Sequence, residues 1–322
     1  MSPNLDDIDR SLASCRAALI EGGGGGPAGD LLSMFLGRGK MIRARLCLLS
    51  AGAAGGHPRF AESGALAIEL LHAASLLHDD IVDRALQRRG LTTLNAALGN
   101  DVAMITGDIL IGRAVEALVR SPEIEPASIR PAVSILARAI QDWCRGQLLE
   151  IDGSSPVSSV SEYFDMVAGK TGSLFAAACA LGGVLGGGAP HVVDALSVFG
   201  GQLGEAFQLA DDASEVYGNP KELGRSVGCA VSQHRPLYPI VVLLEEGSAD
   251  ARAALARLLE EAAPLDAVRR MLQEHGALDR LRQARRAAVQ RARQALATLP
   301  PSGFVPMLDA LAESCPDPTD AG

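Results

Sequence analysis

Asp79, Asp80 and Asp83, in ALAIELLHAASLLHDDIVD, and Asp211, Asp212 and Glu215, in GEAFQLADDASE, share one spacing of carboxylates at i, i+1 and i+4. Residues four apart stand one helical turn apart, so Asp79 and Asp83 can converge on one ion, while Asp80 lies about 100° round the helix. Such a cluster repels itself unless cations neutralise it. Hard oxygen donors in this pattern suit Mg²⁺ bridged by substrate phosphates. The motifs are 132 positions apart (211 minus 79). If their helices face each other, the carboxylates form a cage for a diphosphate. A single D-D-x-x-D is as readily a solvated acidic turn or a helix cap, and two copies in apolar helices favour the metal reading.

The elements that carry these groups read as helices. Leu70, Ala74, Leu77 and Ile81 fall on one apolar stripe, and His72, Leu76, Asp79 and Asp83 fall on a second face. Hydrophobic residues make up 48% of the chain and aromatics only 3%, a palette of Ala, Leu, Val and Ile that suits packed helices. Breaks at Gly55-Gly56, Gly99-Asn100, Ser121-Pro122, 153–156, 186–190, 218–220 and Pro300-Pro301 predict roughly ten helices, with no alternating strand pattern. The expected organisation is all-α. Residues 1–29 form an N-terminal helix and a Gly-rich connector (Gly22 to Gly26), 30–314 form one helical domain, and 315–322 form a loose tail.

The net charge of −9 argues against a nucleic-acid tracker, which would concentrate Lys and Arg on one face. The six cysteines are scattered, without C-x-x-C pairs, and read as reduced thiols of a cytoplasmic protein. MSPNLDDIDR lacks the regions of a signal peptide, and apolar stretches such as Ala176 to Val184 are too short and Gly-broken to span a bilayer. No transmembrane segment is expected.

From about Leu31 to Leu244 the chain resembles the trans-isoprenyl diphosphate synthases, the polyprenyl synthetase family. GRGKMIRARL is similar to the family's G-G-K-x-x-R-P, Asp79-Asp80-x-x-Asp83 to its first aspartate-rich motif, LQRRGLTTLN to R-R-G-x-P-T, and GKTGSLFAAA to K-T-a-x-L. The resemblance implies a helical bundle of the isoprenoid synthase type with a central substrate cavity. It puts isopentenyl diphosphate on Lys40, Arg43, His72 and Arg89, and the allylic diphosphate on Arg88, Lys170 and Thr171. Gln208 would face the growing cation. Asp79, Asp80, Asp83, Asp211, Asp212 and Glu215 would hold roughly two or three Mg²⁺ ions. The implied reaction ionises the allylic diphosphate and lets the isopentenyl double bond attack the cation, with Asp79, Asp80, Asp83, Lys170, Gln208 and Asp211 as the catalytic set. A homodimer is implied as well.

The chain departs from the family pattern downstream. Glu215 stands where the family has aspartate, Arg225 and Arg235 stand at lysine positions, and Ala230 stands at an aspartate position. Arg preserves charge for substrate binding but is a planar fork where Lys is a point charge. Two other readings follow: a weakly active or non-catalytic partner subunit of a hetero-oligomeric synthase, and a terpene-cyclase-like enzyme. The first is disfavoured by the persistence of Asp79, Asp80, Asp83, Arg88 and Arg89, the second by Lys40, Arg43 and His72, which only a second diphosphate substrate requires.

In this family the product grows down a tunnel whose floor lies one turn before the first motif, here at Ala74 and Ser75. Small side chains there leave room beneath the metals, which implies a geranylgeranyl or longer product. Met104 and Ile105 are further candidates for the floor.

Overall fold

The computed structural model of the chain describes residues 5–21, 26–88, 90–151, 159–218 and 227–315. Within them are sixteen α-helical segments, from Leu5–Glu21 to Val305–Glu313. Their number exceeds the roughly ten expected, in part because punctuation in the C-terminal third divides one apolar run into three helices, Tyr238–Glu246, Ala249–Glu260 and Leu265–Glu274. Ser248 caps the second of these by accepting from the Ala251 N–H at 3.2 Å, and Pro264 precedes the third. Among the described residues the chain is all-α apart from one antiparallel pair of two-residue strands, Gln87–Arg88 with Leu91–Thr92, which periodicity cannot detect at that length. Gly22–Gly25, 153–156, the residues after Cys315, Arg89 and Arg225 lie outside the described residues.

Packing groups the residues into two compact units, one of Met1–Ile140, Leu174–Gly200 and Ala295–Ala310, the other of Gln141–Ser173, Gly201–Gln294 and Leu311–Gly322. In the first unit the helix Glu62–Val82 packs along Asn100–Val119 and against Ile42–Ala53. Its core includes Leu46, Leu48, Ile68, Leu71 and Leu118, all fully buried, and each such side chain contributes about 1.5–3 kcal/mol on burial. The stripe foreseen on Glu62–Val82 holds for Leu70, Ala74 and Leu77, which are buried, while Ile81 is half-buried. In the second unit one cluster gathers Tyr163, Leu209, Val216, Tyr238, Leu255 and Leu272. Both cores thus pack directly beneath helices that carry carboxylates.

Two helical runs, Pro58–Val82 and Val160–Leu185, are long and apolar enough to cross a membrane by length and composition. The second run is longer than the Ala176 to Val184 stretch because the helices Val160–Val167 and Ser173–Leu185 are joined through the turn Ala168–Gly172. Within the fold 67% of each apolar window is buried, so their apolarity serves the core.

Candidate active site

The first carboxylate motif closes the helix Glu62–Val82. The Asp83 N–H donates to the Asp79 carbonyl at 2.8 Å, and Arg84 then turns the chain with a left-handed φ of 51°. Asp79 and Asp83, one turn apart, are half-buried. Asp80 is different. It is 1% exposed and accepts a 2.7 Å hydrogen bond from Arg88 Nε. Burial holds its carboxyl above the usual carboxylate range, against the pull of the Arg88 guanidinium.

Arg88 reaches Asp80 because the strand pair folds back on the helix end. Gly90, with φ of 73°, supplies the turn that a residue with a side chain rarely adopts. Thr93 Oγ1 donates to the Ala85 carbonyl at 2.6 Å, and Asn95 Nδ2 donates to the carbonyls of Asp80 and Ala85, each at 3.2 Å. The R-R-G-L-T-T-L-N run is therefore a latch on the motif.

Two of the residues expected to bind isopentenyl diphosphate, Lys40 and Arg43, flank the start of the helix Ile42–Ala53. Lys40 is exposed just before it, and Arg43 is half-buried in its first turn. His72, half-buried, lies about two turns before Asp79 on the same helix, with Ser75 Oγ donating to its carbonyl at 2.7 Å. Three residues that the sequence did not single out fix this segment. Arg16 donates to the carbonyls of Gly37 at 2.5 Å and Gly39 at 3.0 Å. Met41, left-handed at φ 51°, gives the helix no side-chain cap, and the buried Glu69 carboxylate instead accepts from the Ala44 N–H at 2.9 Å. The Arg43 guanidinium stacks over the buried Phe175 ring, 4.4 Å from its centroid.

In the second unit Lys170 and Thr171 sit in a π-helical turn, Ala168–Gly172, between two α-helices. Such single turns are frequent at functional sites because the wider ring re-aims its side chains. Gly146 makes room for it: a methyl group there would lie 2.1 Å from the Lys170 backbone nitrogen. Lys170 Nζ pairs with Glu150, whose carboxylate also accepts from Gln147 Nε2 at 3.1 Å.

Thr171 Oγ1 donates to Gln208 Oε1 at 2.7 Å, and Gln208 Nε2 donates to Asp212 Oδ1 at 2.9 Å. The other Asp212 oxygen accepts from Tyr163 Oη at 2.6 Å and from the Tyr238 N–H at 2.8 Å. Burial pushes Asp212 up to about 7 even though these three donors oppose the shift. Asp211, its neighbour, is exposed.

Glu215 is buried and accepts from the Ala230 N–H at 2.8 Å. The two departures from the family pattern at 215 and 230 thus touch: the longer carboxylate reaches the backbone where Ala230 offers only a methyl group. Arg235, half-buried, follows six residues after the start of that short helix, Cys229–Ser232. Ala74 and Ser75 are buried, whereas Met104 and Ile105 are 49% and 55% exposed and face away from the core of their unit.

Among the described residues no three His, Cys, Asp or Glu side chains are already gathered as a metal-holding group. The donor chemistry nevertheless fits a hard cation. Asp79 and Asp83 are carboxylates one turn apart on the same helix, and Asp211 is an exposed carboxylate.

Residues 30–274 match the polyprenyl synthetase family model. The chain is 36% identical over 222 residues to a short chain isoprenyl diphosphate synthase of Methanothermobacter thermautotrophicus, covering 69% of this chain and 68% of that one. It is 31% identical to an octaprenyl diphosphate synthase of Haemophilus influenzae, covering 86% and 83%. The crystal structure of a geranylgeranyl pyrophosphate synthetase from Pyrococcus horikoshii superposes with a TM-score of 0.87 at 27% identity, covering 96% of each chain. With that match over most of its length and the motifs described above in family order, the chain belongs to the polyprenyl synthetase family, all-α enzymes that are prenyltransferases.

Proposed function

We propose that this chain condenses isopentenyl diphosphate with an allylic diphosphate to give a geranylgeranyl or longer polyprenyl diphosphate. The observation that carries the reading is the division of labour in the first motif: Asp79 and Asp83 stand one turn apart and half-buried, while Asp80 is engaged by Arg88. A helix end built this way offers two carboxylates to a cation and keeps a third as its internal brace.

In this reading Asp79, Asp83 and Asp211 are the Mg²⁺ ligands, with Asp80, Asp212 and Glu215 bracing them. Bound Mg²⁺ supplies neutralisation of the diphosphate's charge. Lys170, Thr171, Arg88, Arg225 and Arg235 bind the allylic diphosphate. Lys40, Arg43, His72 and Arg89 bind isopentenyl diphosphate, Arg43 as a fork of paired donors and Lys40 as a point charge. These cations stabilise the departing diphosphate, so the allylic C–O bond ionises. The Gln208 carbonyl faces the resulting allylic cation, the isopentenyl double bond attacks it, and a proton passes to the released diphosphate. Excluding water protects the cation from capture.

Buried small residues at Ala74 and Ser75 support the longer product. A homodimer, cytoplasmic and formed by residues 30–314 as one functional domain, completes the reading. It is supported by an exposed apolar stripe of Val102, Ile105 and Ile109 on the helix Asn100–Val119.

The test incubates the purified chain with Mg²⁺, labelled isopentenyl diphosphate and each of the dimethylallyl, geranyl, farnesyl and geranylgeranyl primers, then sizes the products. A ladder ending at one length, lost in Asp79→Ala and shortened in Ala74→Phe or Ser75→Phe, is expected. No incorporation with any primer by the folded chain would sink the synthase reading in favour of a partner-dependent subunit or a cyclase.

A further inference from the structure

We infer that Tyr163 is a positioning residue that, through Asp212, fixes which way the Gln208 amide faces and so keeps its carbonyl toward the allylic substrate. The inference rests on Gln208 being the group that faces the cation, and adds to it the buried residue that controls it. A glutamine amide has one accepting and one donating end, and its orientation follows from its partners. The Thr171 hydroxyl could serve either end, because a hydroxyl both donates and accepts. Asp212 accepts from three donors, Tyr163 Oη, the Tyr238 N–H and Gln208 Nε2, so Asp212 decides: the Gln208 NH₂ turns to Asp212, and Oε1 is left toward Thr171.

Asp212 can impose this only if its own carboxylate cannot rotate. Tyr163 Oη and the Tyr238 N–H both donate to Oδ2, which leaves Oδ1 for the glutamine. Tyr163 is fully buried, and its ring meets those of Phe164 and Tyr238 edge-on with centroids 5.4 Å away in each case. The ring is therefore held by packing, and the hydroxyl is the part that acts on Asp212. Phenylalanine at 163 would keep the ring contacts and remove one charge-assisted hydrogen bond, on a side chain that no substrate touches.

The experiment is a double-mutant cycle on the full chain with Tyr163→Phe and Gln208→Ala, measuring kcat, both KM values, the Mg²⁺ activation curve and the thermal midpoint. Tyr163→Phe is expected to lower kcat about tenfold, the scale of one hydrogen bond to a charged group. The isopentenyl KM and the Mg²⁺ requirement should stay unchanged. In the Gln208→Ala background the same change should have little further effect, because the residue it acts through is gone. Full additivity, or a Tyr163→Phe defect that saturating Mg²⁺ repairs, would overturn this inference and leave the function reading standing. A Gln208→Ala enzyme with unaltered kcat would overturn the role of Gln208 and this inference with it. Should Tyr163→Phe fail to fold, Asp212→Asn breaks the same link, and the same non-additivity with Gln208→Ala is expected.

Discussion

Arg88 Nε donates to Asp80 Oδ1 at 2.7 Å, and Asp80 is so deeply set that its carboxylate sees almost no solvent, whereas Asp79 beside it is half-buried. Adjacent aspartates of one motif thus live in different environments, one almost wholly buried against Arg88 and one half-buried. Their substitutions should separate accordingly.

Asp80→Asn is expected to lower stability by about 1–3 kcal/mol, since it removes the ion pair and leaves Arg88 without its carboxylate. Asp79→Asn should cost less stability than Asp80→Asn, because Asp79 is only half-buried where Asp80 is 1% exposed, while reducing kcat on the order of 10²-fold or more. Urea midpoints and initial rates of the two variants check this. Equal losses of stability would refute the division of roles.

The Phe175 ring beneath the Arg43 guanidinium is a second lever. Phe175→Leu keeps an apolar side chain but removes the ring face, so the KM for isopentenyl diphosphate should rise roughly fivefold, the scale of about 1 kcal/mol for a cation–π contact. The KM for the allylic substrate should not move. Steady-state kinetics with each substrate varied in turn would show whether the effect is confined to one of them.

Gly146→Ala would put a methyl group 2.1 Å from the Lys170 backbone nitrogen. A main-chain atom cannot swing aside as a side-chain tip can, so a loss of about 1–3 kcal/mol is expected from overpacking. The π-helical turn should be displaced with it. A denaturant midpoint equal to that of the unmodified chain would mean that this crossing is looser than its geometry implies.

Burial pushes the Cys15 and Cys179 thiols up to about 12, and the same cause raises Cys47 well above its usual value. Cys144 and Cys229 are exposed, and Cys315 is buried. Thiolate is the reactive form. Two of the six cysteines should therefore react quickly with a thiol reagent at pH 8 and four only on unfolding. Because the folded pKa values lie above the unfolded one, the protonated form's contribution to stability is complete below about pH 9 and falls as pH rises toward 12. Labelling followed by mass spectrometry, with and without denaturant, reads the count directly.

Much of this molecule was legible in its sequence because the informative signals are local. Helix class follows from apolar spacing, and the carboxylate motifs, the basic run around Lys40 and the Lys170-Thr171 pair are contiguous strings. The braces are not. Glu69 caps a helix that begins 27 residues before it (69 minus 42), Tyr163 reaches Asp212 49 positions on, and Phe175 lies 132 positions from Arg43 (175 minus 43). Each is an ordinary residue for a helix interior, so type and spacing gave no sign of a role that only folding confers. The two-residue strands escaped for a different reason, since two residues show no period.

The π-helical turn at Ala168–Gly172 holds one residue more than an α-helical turn would, and that surplus has a consequence for how the sequence can vary. Deleting one residue within it would let the helix close up as regular α-helix, keeping the flanking helices in register but removing the wide turn that aims Lys170 and Thr171. Lys170 or Thr171 would then lose its direction although no functional residue had been replaced. The segment should therefore accept many substitutions at its non-functional positions yet refuse changes in length, making the number of residues between Val167 and Ser173 as much a part of the enzyme's specification as their identity.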